Sequence, residues 1–154
     1  IIYINMHDKV IVINSRVAFN GAVNANQTYL MDFSTFDKGT YSVSMSYVGE
    51  SNALNADKTC SIYTNLGSSH VLAASDASTS AQTSAFLGVL KTRLSGSTTY
   101  LSCDIGDNAS ICVERPSTNT IEIQMRDGNN AIYTDSASAE LANYIMTLRF
   151  TKID

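Results

Sequence analysis

Apolar and polar residues alternate with a period of two along much of the chain. The plainest stretch is Tyr41-Ser42-Val43-Ser44-Met45-Ser46-Tyr47-Val48. Tyr41, Val43, Met45 and Tyr47 share one face and three serines share the other. This predicts a half-buried antiparallel strand whose outer face is polar but uncharged. Residues 120–126 repeat the pattern, with Glu122, Gln124 and Arg126 outside, and run into the turn signal Asp127-Gly128-Asn129-Asn130. Residues 144–153 alternate again, with Met146, Leu148 and Phe150 toward the core and Thr147, Arg149 and Thr151 toward water.

Further strands are expected over residues 28–33, 60–66, 69–73, 85–94, 98–103 and 109–114, separated by Asp37-Lys38-Gly39, Gly67, Ser95-Gly96-Ser97 and the loop Asp104-Ile105-Gly106-Asp107-Asn108. Residues 9–13, β-branched from Val10 to Ile13, suit a strand covered on both faces, and 16–19 are expected to continue it past a kink. The opening Ile1-Ile2-Tyr3-Ile4 is equally compatible with a first strand. Helical periodicity is confined to one short turn over 136–141. The Ser/Ala/Thr-rich stretch 74–85 reads as a loop. About eight to ten strands with turn punctuation predict an all-β antiparallel sandwich or barrel. The core aromatics are expected to be Phe33, Phe36, Tyr41, Tyr47 and Phe150.

Length makes residues 1–154 one domain. Apolar residues make up 44% and charged residues only 16%, while Ser, Thr and Asn supply nearly a third of the chain. The surface is therefore mostly neutral and polar. A net charge of −4 argues against a nucleic-acid partner, which would need a basic face. No apolar run approaches the ~18 residues of a membrane span. The N-terminus lacks the basic start and cleavage site of a secretory signal.

Candidate chemistry is sparse. His7-Asp8 and Ser68-Ser69-His70 place a histidine beside an acid or a hydroxyl, but no nucleophile motif accompanies either. Asp104, Asp107 and Asn108, and likewise Asp127, Asn129 and Asn130, have the oxygen-ligand spacing that can hold calcium, without the full calcium-loop pattern. Turns use the same residues. Asn26-Gln27-Thr28 and Asn108-Ala109-Ser110 match a glycosylation pattern that chance supplies in so Asn-, Ser- and Thr-rich a chain. Cys60, Cys103 and Cys112 read as three reduced, buried thiols, although Cys103 and Cys112 could face each other across a hairpin. No catalytic residue, metal ligand or cofactor is assigned, and the chain is not expected to be an enzyme.

The aromatic strand ending at Phe33, the Phe36-Asp37-Lys38-Gly39 turn and the Tyr41-x-Val43-x-Met45-x-Tyr47 strand, with the ending Tyr144-Ile145-Met146-Thr147-Leu148-Arg149-Phe150, resemble small jelly-roll proteins from the virions of large double-stranded DNA viruses. The strand style also suits trimeric jelly rolls of the complement and tumour-necrosis-factor type, whose final strand ends differently. The resemblance implies a single jelly-roll sandwich located in the virion capsid and assembled inside the host cell. It would serve as a minor capsid, penton or capsid-associated protein. Its partners would be copies of itself or a major capsid protein, docked through loops and edge strands, with residues 75–84 as a contact loop. The alternative is a glycan- or receptor-binding jelly roll, such as a fibre head or lectin-like domain.

Overall fold

The computed structural model describes residues 8–17, 20–23, 26–51, 59–67, 85–127, 132 and 141–153. They form an all-β fold with strands β1 (Lys9–Asn14), β2 (Asn20–Val23), β3 (Asn26–Leu30), β4 (Thr40–Ser51), β5 (Cys60–Thr64), β6 (Ala85–Ser95), β7 (Thr98–Cys103), β8 (Ile111–Glu114), β9 (Thr120–Arg126) and β10 (Leu141–Lys152). Nine strands make one antiparallel, nearly closed, barrel-like sheet in the order β1-β10-β4-β7-β6-β5-β9-β3-β2, and β8 attaches to β4 beside this path. Four of the pairings are nested in sequence: β1 with β10, β3 with β9, β4 with β7 and β5 with β6. The chain is thus a long antiparallel ribbon rolled around its own core. Strand β10 with β4, and β5 with β9, stitch the rolled ribbon together.

The predicted alternation sets the core. Tyr41, Val43, Met45 and Tyr47 of β4 are buried, as are Ile121, Ile123 and Met125 of β9 and Met146, Leu148 and Phe150 of β10. Phe33, Phe36, Tyr41 and Phe150 plug one end with edge-to-face contacts at centroid distances of 5.2–6.3 Å. Tyr41 Oη donates to the Asp37 carbonyl at 2.9 Å, tying the turn before β4 to this plug.

Strand β6 makes the barrel turn its corner. Ala85–Leu90 pair with β5 and Lys91–Ser95 with β7. Gly88, in the half paired with β5, leaves room for the loop side chain beside it: a Cβ there would lie 2.3 Å from Asn108 Cγ. Closure is incomplete between β1 and β3, which share no ladder and flank an apolar-lined cleft of about 270 Å³. Buried side chains bridge one end of this seam. Gln27 Nε2 donates to the Ser15 carbonyl at 3.1 Å, and Ser15 Oγ accepts from the Tyr144 amide at 3.0 Å. Tyr29 Oη donates to Gln27 Oε1, and Tyr144 Oη lies 3.0 Å from Tyr29 Oη and 3.2 Å from Gln27 Oε1.

Three expectations are corrected. Strand β1 is covered on one face only: Ile11 and Ile13 are buried, while Val10 and Val12 point outward, because nothing among the described residues packs on that side. Residues 15–17 form a 3₁₀ turn in place of a continuing strand. There Asn14 Oδ1 accepts from the Arg16 amide at 3.0 Å, a local bond that competes with a ladder. The strand expected over 28–33 is shifted to Asn26–Leu30, and Phe33–Thr35 become a 3₁₀ turn capped by Asp32, whose carboxylate accepts from the Ser34 amide at 2.8 Å. The expected elements at 1–4 and 69–73 lie outside the described residues, as do the loop at 74–85 except for Ala85, which opens β6, and the helical turn at 136–141 except for Leu141, which opens β10.

Candidate functional site

Two side chains of the acidic loop between β7 and β8, those of Asp107 and Asn108, are engaged in holding the fold. Asp107 Oδ1 accepts from Lys91 Nζ at 2.7 Å, and Oδ2 accepts from the Asp104 amide at 2.7 Å. These bonds hold the Asp107 carboxyl below its ordinary value, with the Lys91 bond as the larger cause. Asn108 Oδ1 accepts from the Val89 amide at 2.9 Å and its Nδ2 donates to the Val89 carbonyl at 3.2 Å. The side chain therefore pairs with β6 as a neighbouring strand would. Among the described residues no group of three His, Cys, Asp or Glu side chains could hold a metal. Asp127 is described, but Asn129 and Asn130 are not. His7, Ser68, Ser69, His70 and the contact loop 75–84 also lie outside the described residues.

The cysteines do not face one another across a hairpin. Strands β7 and β8 both run along the same edge of β4, so Cys103 sits opposite Tyr47 and Cys112 opposite Ser42. Cys103 points inward, Cys112 outward, and all three thiols are free. Burial pushes Cys60 up to about 12 and Cys103 up to about 11, the latter also raised by Asp107 and Asp104. Neither is a nucleophile near neutral pH.

The outward face of β1, β10, β4 and β7 carries the surface feature that the fold leaves unexplained. Five large apolar side chains stand there: Val10 (56% exposed), Val12 (66%), Ile145 (53%), Val48 (69%) and Tyr100 (46%). Ile145 is paired directly with Val48. Val12 is opposite Thr147, one step diagonally from Ile145, and Tyr100 is opposite Glu50, one step diagonally from Val48. Diagonal neighbours of this kind remain within side-chain reach. The result is a stripe running from the edge strand β1 across to β7. Val48, Tyr100 and Ile145 also line one groove of about 450 Å³, with Arg16 and Glu50 at its margin.

The alternation contains a signal for this stripe that points past the core. Val48 stands in phase with the outward serines of β4, and Ile145 with the outward Thr147 and Arg149 of β10. Both are apolar residues in the polar phase.

No protein-family model, curated protein or solved structure matches this chain. No helix among the described residues is long and apolar enough to cross a membrane.

Proposed function

We propose that the chain is a structural virion protein, a minor capsid, penton or capsid-associated component, built as a jelly roll and acting by protein–protein packing inside the capsid. The observation that carries this reading is the set of four nested strand pairs wound into one nearly closed sheet. Nesting of this kind is compatible with a jelly roll, an architecture used by capsid and lectin domains, and supports that reading. The step from architecture to role is by analogy, since a fold hosts many functions. The low charge density supports the role physically: neutral Ser and Thr can be buried against a neighbour without desolvating ions.

The alternative, a glycan- or receptor-binding head, draws less support. Its acidic loop would be Asp104, Asp107 and Asn108, and Asp107 and Asn108 are already engaged by Lys91, the Asp104 amide and β6. The test is to probe density-purified virus particles from the source with antibodies against the chain. Recovery with intact particles in many copies per particle is expected. Absence from them, with binding to a glycan array, would transfer the assignment to the alternative.

A further inference from the structure

We infer that the apolar stripe across β1, β10, β4 and β7 is where a second copy of this chain docks. The inference deepens the packing role proposed above, on which it rests, by naming the surface and the partner.

The first argument is area. The five side chains expose on the order of 500 Å² of apolar surface, at the upper end of the patches that monomers leave open. A stable interface needs about 800 Å² a side, and in homodimers about two-thirds of that is apolar, so the stripe supplies roughly the apolar share required. The rest is at hand in Ser46, Thr147, Ser102 and Asn14, which are opposite stripe residues or each other in the ladder. All four are neutral, so covering them desolvates no charge.

The second argument is charge. One end of the stripe carries Arg16 and Glu50. The other carries Arg149 and Asp8, whose Nε and Oδ2 are 4.0 Å apart. The first end also has Arg93, the exposed ladder partner of Tyr100 on β6, so both ends offer both signs, with one cation in excess at the Tyr100 end. A two-fold overlay of the face on itself can set opposite charges together in either direction, as a self-complementary interface requires. A strongly charged partner would leave one charge of each pair opposed.

The third argument is the β-branched run of β1. Its composition is that of a strand covered on both faces. The fold covers Ile11 and Ile13 and leaves Val10 and Val12 open. A second copy supplies the cover.

The test is sedimentation of the full chain from about 10 nM to 100 µM, because interfaces of this size bind with affinities from micromolar to far tighter. The unaltered chain should sediment as a discrete oligomer. The double variant Val48→Glu, Ile145→Glu places two carboxylates at the centre of the stripe, and its dissociation constant should rise by roughly 30-fold or more, the cost of losing a hot spot. Both positions face outward, so the near-UV circular dichroism of the dissociated variant should stay close to that of the parent, and its melting temperature should match that of the parent diluted below its dissociation constant. Val89→Glu, at an exposed position on β6 away from the stripe, should leave the oligomer intact. A parent chain that stays monomeric at the highest concentration would overturn the inference, and so would a double variant that associates as tightly as the parent. Neither result bears on whether the chain is found in virus particles. The particle assay decides that separately, so the two readings can fail independently.

Discussion

At the scale of single residues, burial decides which groups are chemically available. Cys60 is fully enclosed and Cys103 nearly so, while Cys112 stands on the outer face of β8. One thiol of three should therefore react with a disulfide reagent at pH 8 in the folded protein, and all three after denaturation. Rapid labelling of two or more in the native state would refute this placement. The same burial sets a pH dependence. Cys60 is held up to about 12 against an ordinary value of 9.0, so above pH 9 the unfolded chain loses this proton while the folded chain keeps it. The folded state then binds more protons, and stability falls as pH rises. Buried Tyr47 and Tyr144, also held above their ordinary range, act in the same direction above pH 10. Melting temperatures should decline from pH 8.5 to 11, and less steeply in Cys60→Ala after its lower starting stability is subtracted. Gly49 is governed by space in the same way. A Cβ there would come within 2.9 Å of Tyr144 Cβ and of Tyr47 Oη. The bare backbone makes room for the Tyr47–Tyr144 stack, whose rings are 5.1 Å apart at 26°.

At the scale of elements, the corner of the barrel depends on a side chain acting as a strand. Strand β6 leaves β5 and joins β7, and near that change Asn108 pairs with both backbone groups of Val89. Gly88 lets the amide approach closely enough to do so. Asn108→Ala should cost about 1–2 kcal/mol for two lost hydrogen bonds, read as a fall of roughly 2–8 °C in melting temperature. Gly88→Ala should produce a loss at least as large, because it expels the same side chain. If Asn108→Ala melts with the parent, the loop between β7 and β8 does not brace the corner. The alternation of β4, β9 and β10 was plain in the sequence. This brace was not, because Asn108 sits in what reads locally as an ordinary Asp-Ile-Gly-Asp-Asn loop and its partner is nineteen residues away.

At the scale of the whole molecule, the ladder leaves one seam open and a polar cluster bridges it. Ser15, Gln27, Tyr29 and Tyr144 come from three separate places in the chain and are all buried. Every bond among them crosses or flanks the β1–β3 gap. Tyr144→Phe removes one hydroxyl and should cost about 1 kcal/mol. Gln27→Leu leaves the Ser15 carbonyl and Tyr29 without their shared partner and should cost more, about 2–3 kcal/mol. Urea unfolding of both variants checks the order, and equal losses would show that Gln27 does not hold the seam together. The apolar stripe belongs to this scale too. Four strands from distant parts of the sequence contribute to it, so only the assembled sheet makes it one surface.

The sequence by itself determined the strand class, the approximate place of most strands and the inward faces of β4, β9 and β10. Period two in Tyr41 to Tyr47, in Ile121 to Met125 and in Met146 to Phe150 fixes which side chains can reach a core, because successive residues of an extended chain point to opposite sides. It also held the two residues that depart from the pattern, Val48 and Ile145. Only the tertiary structure decided what those departures mean. Pairing partners, the rolled order of the ribbon, the seam and its tyrosine–glutamine cluster, and the alignment of five apolar side chains across four strands all depend on contacts between distant segments. Local pattern is blind to such contacts, since a strand carries its own faces in its residues but not the identity of its neighbours.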